Sequence, residues 1–90
     1  MIGHIVYSKC GHDKGKIFVV VNENELYFYL TDGNKRLFRN PKRKKIKHVQ
    51  VTNYVCDDGI IKKLLKGNCL DLDIRMAIKK YINIKRGESG

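Results

Sequence analysis

Cys10, His12 and Asp13 are the residue types from which a nucleophile, a base and its orienting acid are built. Their spacing argues against that use. Groups in those roles converge on a cleft from separate elements, and near-adjacent residues of one loop do not reach that geometry. No catalytic residue is therefore assigned, and the chain is expected not to be an enzyme. Metal chemistry has as little support. Cys10, Cys56 and Cys69, with His4, His12 and His48, offer one close pair, Cys10-Gly-His12, where zinc sites built from loops usually use two. An odd number of cysteines without a CxxC pair matches neither a disulfide framework nor a zinc knuckle. Reduced thiols are expected, with Cys56 and Cys69 in or near the core and no metal or other cofactor.

The strongest chemical signal is charge. Between Lys35 and His48 lie eight lysines and arginines in fourteen residues, and no acid occurs from Gly33 through Cys56. This run carries +8 of a formal net charge of +10, while residues 1–34 sum to −1 and residues 57–90 to +3. Clustered cations displace the counterions condensed on phosphates, so the pattern predicts a polyanion site. Like charges this close repel one another, a cost that a merely solubilising loop could avoid. Pro41 fixes an extended backbone, so that Lys42, Arg43, Lys44, Lys45 and Lys47 fan out along a phosphate track, with His48 at its end. Arg36, Arg39 and Arg43 can grip phosphates bidentately or stack on unpaired bases. No large apolar residues are interleaved to enter a bilayer interface, and no segment has signal-peptide or membrane-spanning length. A cytoplasmic protein that binds no membrane is expected.

Ninety residues bound the chain to one small domain with little room for a deep cleft or a small-molecule substrate. Up to about residue 52 the apolar residues come in short β-branched and aromatic runs separated by Gly, Asn and Asp, which predicts five strands. These are Ile2–Ser8, Lys16–Val21, Glu25–Thr31, Lys35–Arg39 and Ile46–Val51. Asn22-Glu-Asn24 and Asp32-Gly33-Asn34 supply turns. In Glu25–Thr31 the alternation sets Leu26, Phe28 and Leu30 against Tyr27, Tyr29 and Thr31. Tyr27 and Tyr29 suit either packing or base stacking. Five short strands suggest a closed or half-closed antiparallel barrel. Beyond Tyr54 the apolar period becomes helical. Asp57 and Asp58 can cap a helix with Ile60, Ile61, Leu64 and Leu65 inward and Gly67 at its end. A second helix starts between Asn68 and Asp73 and runs to about Lys85, with Ile74, Ala77, Ile78 and Tyr81 inward and Arg75, Lys79, Asn83 and Arg86 outward. The expected organisation is a barrel over 1–53, a helical appendage of the same domain over 54–86 and a disordered tail over 87–90.

The segments Gly3-His-Ile-Val6, Ser8-Lys-Cys-Gly11, Asp13-Lys-Gly-Lys16 and Val19-Val-Val21 together resemble a KOW motif, a strand, glycine loop and strand forming one corner of an SH3-like barrel. Asp32-Gly33-Asn-Lys-Arg36, Pro41-Lys-Arg-Lys-Lys45, Lys47-His48 and the two helices then follow in order. Over residues 3–82 this order resembles small bacterial KOW-domain RNA-binding proteins, which are similar to the large-subunit ribosomal proteins of the L14e, L6e and L27e group. Position 12, where that family would carry a basic residue such as Arg, is His here. The resemblance implies an SH3-like antiparallel barrel with two C-terminal helices packed on it. It further implies a non-enzymatic module contacting ribosomal RNA or another structured RNA; nothing in the sequence demands a dimer, and a monomer is expected. The RNA-binding residues it implies are Ser8, Lys9, Lys14 and Lys16 at the glycine loop and Arg36 after the Asp-Gly turn. Lys42, Arg43, Lys44, Lys45, Lys47 and His48 follow in the basic segment, to which the charge pattern adds Arg39. The alternative is a KOW-type adaptor that binds DNA or an acidic protein partner in transcription or translation.

Overall fold

Ile17–Val21 is an uninterrupted apolar run, and a strand needs such a run when both of its faces are covered. The computed structural model, which describes residues 1–88, shows why that applies here. Strands β1 (His4–Ser8), β2 (Ile17–Glu23), β3 (Tyr27–Thr31), β4 (Lys42–Lys45) and β5 (Val49–Val55) form one antiparallel sheet in the order β4-β3-β2-β1-β5. Successive side chains of β1 to β3 enter two different cores. Val6, Phe18, Val20, Phe28, Leu30 and Val49 fill the inside of the curled sheet. Ile5, Val19 and Val21 point the other way, against Leu64, Ile74, Ala77 and Tyr81 of the helices. The expected mixed architecture is thus present, a small five-stranded barrel-like sheet with two C-terminal helices packed on it.

Helix α1 (Asp58–Lys66) ends at Gly67, whose φ of 74° gives the left-handed cap that stops the helix. Helix α2 (Asp71–Glu88) follows. Its inward residues Ile74, Ala77 and Tyr81 are buried, while Arg75, Lys79, Asn83 and Arg86 are exposed. The Tyr81 hydroxyl lies 2.9 Å from that of Tyr7, and its ring packs against Tyr54 at 5.3 Å, tying α2 to β1 and β5. The helix continues three residues past the expected Lys85, so Gly87 and Glu88 are helical and not a disordered tail. Residues 89–90 of that expected tail lie outside the described residues.

Three other expectations are corrected. Lys35–Arg39 is a loop, and the fourth strand is Lys42–Lys45. Local bonds take up the backbone that a strand would have offered. Asp32 Oδ1 accepts the amides of Asn34 and Arg36, the Arg36 carbonyl accepts those of Asp32 and Gly33, and the Phe38 amide donates to Asp71 Oδ1 at 2.7 Å. Ile46–His48 forms a 3₁₀ turn, and β5 starts at Val49. Leu26, read as sharing a face with Phe28 and Leu30, and Leu65, read on the apolar face of the first helix, are instead 68% and 67% exposed. Leu26 sits in the β2–β3 turn, outside the strand whose alternation it was expected to follow.

Candidate nucleic-acid interface

The basic segment after Pro41 folds as a strand, and a strand sends successive side chains to opposite faces. β4 pairs with β3 so that Lys42 faces Leu30 and Lys44 faces Phe28, while Arg43 faces Tyr29 and Lys45 faces Tyr27. The run is divided by this alternation. Lys42 and Lys44 lie on the barrel-interior side with Leu30 and Phe28. Arg43 and Lys45 are exposed on the other side.

The inward pair meets Asp13. Gly11 and Gly15, at φ 89° and 84°, let the loop after β1 turn sharply enough to drop the Asp13 carboxylate to the barrel end. There Asp13 is 5% exposed. Its Oδ1 accepts from the Ser8 hydroxyl at 2.7 Å and the Lys44 ammonium at 2.9 Å, and Lys42 Nζ makes a close ionic contact with Oδ2 at 2.6 Å. Lys44 also donates to the Cys10 carbonyl at 2.8 Å, which fastens the glycine loop to β4. Burial pushes this carboxyl up, but Lys42, Lys44 and Ser8 outweigh burial and hold it well below the usual carboxylate range. The expectation of an unbroken phosphate track is corrected accordingly. Ser8 is buried and Lys44 nearly so, and both belong to an internal network that closes the barrel.

The other expected residues remain on the surface. Lys9, Lys14 and Lys16 flank the glycine loop, exposed, and the Lys9 amide donates to the carbonyl of half-buried His48. Arg36, Arg39, Arg43, Lys45 and Lys47 are exposed. The loop and the Asp32–Arg36 turn lie side by side across a concavity of about 340 Å³, lined by His12, Asp13, Lys16, Phe18, Asp32, Lys35, Arg36 and Lys42. Its two carboxylates are engaged, Asp13 by Lys42 and Lys44, and Asp32 through Oδ1 by backbone amides of the turn. His12 and Lys35 were not among the expected binding residues. Their place follows from the turn meeting the glycine loop, a contact about twenty residues apart in sequence that periodicity cannot reveal. The turn itself is held by α2. Arg75 Nη1 donates to the Gly33 carbonyl at 2.7 Å, and a Cβ on Gly33 would stand 2.4 Å from the Asp71 carbonyl. On the opposite face of β4, the Arg43 guanidinium lies 4.5 Å over the Tyr27 ring. Tyr29 packs into the helix-side core.

Of the eight cations in the run, Lys42 and Lys44 alone form a salt bridge among the described residues. The Asp13 carboxylate is committed to lysines and not to His12, so Cys10, His12 and Asp13 do not form a relay. Cys56 and Cys69 are buried, and burial, with Asp57 near the first and Asp73 near the second, pushes both thiols up to about 11. Such thiols stay protonated at neutral pH and are poor nucleophiles. Among the described residues no three His, Cys, Asp or Glu side chains are grouped to hold a metal ion, and no helix is long and apolar enough to cross a membrane. No protein-family model matches the chain, and no curated protein matches it.

Proposed function

We propose that this chain is a non-catalytic RNA-binding protein that contacts structured RNA, ribosomal RNA foremost, through the glycine loop, the Asp32–Arg36 turn and the outward side of β4. The observation that carries the reading is that six of the eight cations of the run lack a carboxylate partner among the described residues. Lys35, Arg36, Arg39, Arg43, Lys45 and Lys47 have no carboxylate partner among the described residues, although they sit on backbone held in place by strand pairing and turns. Cations carried on an ordered backbone and free of carboxylate partners lower the ordering cost of gripping a phosphate backbone. The concavity between the loop and the turn suits phosphates, and the arginines suit unpaired or distorted RNA, where planar guanidinium groups can both pair and stack.

The test is binding of a labelled RNA hairpin across a salt series. With about five phosphates engaged, log affinity should fall against log salt with a slope of roughly −3.5 to −4.5. A slope near zero would remove the electrostatic basis of the proposal. Duplex DNA of equal length, competing as well as the hairpin, would favour the DNA-binding adaptor instead. Co-sedimentation with large ribosomal subunits at moderate salt, followed by crosslinking, identifies the RNA.

A further inference from the structure

Leu26 is the most exposed large apolar residue among the described residues, at 68%, and its backbone is tied down by hydrogen bonds. Asn24 Oδ1 accepts the amides of Leu26 and Tyr27 at 3.0 and 2.9 Å, and the Leu26 carbonyl accepts the Ile46 amide at 3.0 Å. These bonds set Leu26 and Ile46 side by side in a groove of about 510 Å³ that also includes Glu25, Tyr27, Lys45 and Lys47. The volume is in the range of small-ligand sites. Its lining combines the apolar and aromatic Leu26, Ile46 and Tyr27 with two lysines and one carboxylate. Glu25, Lys45 and Lys47 line the same groove, yet none of them has a side-chain hydrogen bond or ion pair among the described residues.

We propose that this groove, separate from the concavity on the other face of β4, takes a single unpaired nucleobase of the bound RNA, guanine in preference to the others. The inference rests on the RNA-binding reading above. A base slides its apolar face against Leu26 and Ile46, beside the Tyr27 ring of which Arg43 covers one face, and the phosphates on either side meet Lys45 and Lys47. A peptide side chain could use the apolar lining, but Lys45 and Lys47 in the same groove complement the phosphates that flank a nucleobase on both sides. The preference comes from Glu25. An ionised carboxylate only accepts hydrogen bonds, and guanine presents two adjacent N–H donors on its Watson–Crick edge. Uracil presents one N–H between two carbonyls, which repel a carboxylate.

Three RNA hairpins of equal length test this, one fully paired, one with a single bulged guanosine and one with a bulged uridine, measured by anisotropy against the wild-type chain, Leu26→Ser and Glu25→Gln. The wild type is expected to bind the guanosine bulge about tenfold more tightly than the paired hairpin. Leu26→Ser should lose that tenfold while keeping its affinity for the paired hairpin and its melting temperature, since Leu26 lies outside both cores. Glu25→Gln should collapse the guanosine-over-uridine ratio towards one. If the wild type binds all three hairpins alike, or Leu26→Ser leaves the bulge preference intact, the groove is not a base site, although the RNA-binding reading stands. A groove that serves a protein segment gives this second result. If the wild type binds none of the hairpins, the RNA-binding reading itself falls, and this inference with it.

Discussion

Asp13 carries two ammonium groups and a hydroxyl on a nearly buried carboxylate, and its loss should be felt in stability before it is felt in binding. Asp13→Asn leaves Lys44, with a side chain only 10% exposed, without its counter-charge. Breaking a pair of this kind should cost about 3 kcal/mol, near the lower end for buried pairs because Lys42 keeps a route to water. Urea denaturation at pH 7 measures it. The same carboxylate sets an acid limit. Its folded pKa lies below the ordinary value of 3.8, so its contribution is complete above about pH 5 and is lost as the pH falls through 3.8 and below. The wild type should therefore lose stability over that window more steeply than Asp13→Asn. Equal acid profiles for the two chains would show that Lys42 and Lys44 do not hold the charged form.

Strand β4 makes a sharper division, because its period of two separates the lysines that pair with Asp13 from the residues proposed to contact RNA within four consecutive basic residues. Lys42→Gln with Lys44→Gln should lower the melting temperature with a smaller effect on RNA affinity per charge removed. Arg43→Gln with Lys45→Gln should weaken RNA binding and leave the melting temperature within a degree or two. Thermal denaturation and the salt-series titration, run on both double variants, decide whether the faces divide as stated. β4 is also an edge strand, and its charged residues keep that edge from pairing with other chains. The Asp32–Arg36 turn depends on α2. Gly33 and Gly67 both have φ near 73°, so alanine at either meets left-handed strain of about 1–2 kcal/mol. At Gly67 the space is open, whereas at Gly33 the new Cβ runs into the Asp71 backbone. Gly33→Ala should therefore cost more than Gly67→Ala in denaturant, and it alone should also lower RNA affinity, by displacing Lys35 and Arg36.

For the molecule as a whole, the helices are part of the fold and not an addition to a finished barrel. Ile5, Val19 and Val21 are buried under Leu64, Ile74, Ala77 and Tyr81, and without the helices one side of the central strands would face water. A chain ending at Val55 should not unfold cooperatively on heating, as followed by far-UV circular dichroism. A sigmoidal transition like that of the whole chain would show that the inner core of Val6, Phe18, Val20, Phe28, Leu30 and Val49 is sufficient alone.

Much of this was legible in the residues. The apolar run Ile17–Val21, the helical spacing of Ile74, Ala77 and Tyr81 and the stop at Gly67 are local patterns, and local patterns fix element type through backbone sterics and side-chain period. The concentration of charge between Lys35 and His48 was equally plain. What only the tertiary structure decided is which of those charges remain available. Asp13 and Lys44 are 31 residues apart, and nothing in either neighbourhood announces their pairing. The sheet brings them together because β4 and the glycine loop after β1 meet at the barrel end, and a buried carboxylate there must take its neutralising charge from whichever cations the strand alternation turns inward. The amino-acid order determined that a basic strip exists; the curl of the sheet determined that half of β4 closes the barrel and half faces outward.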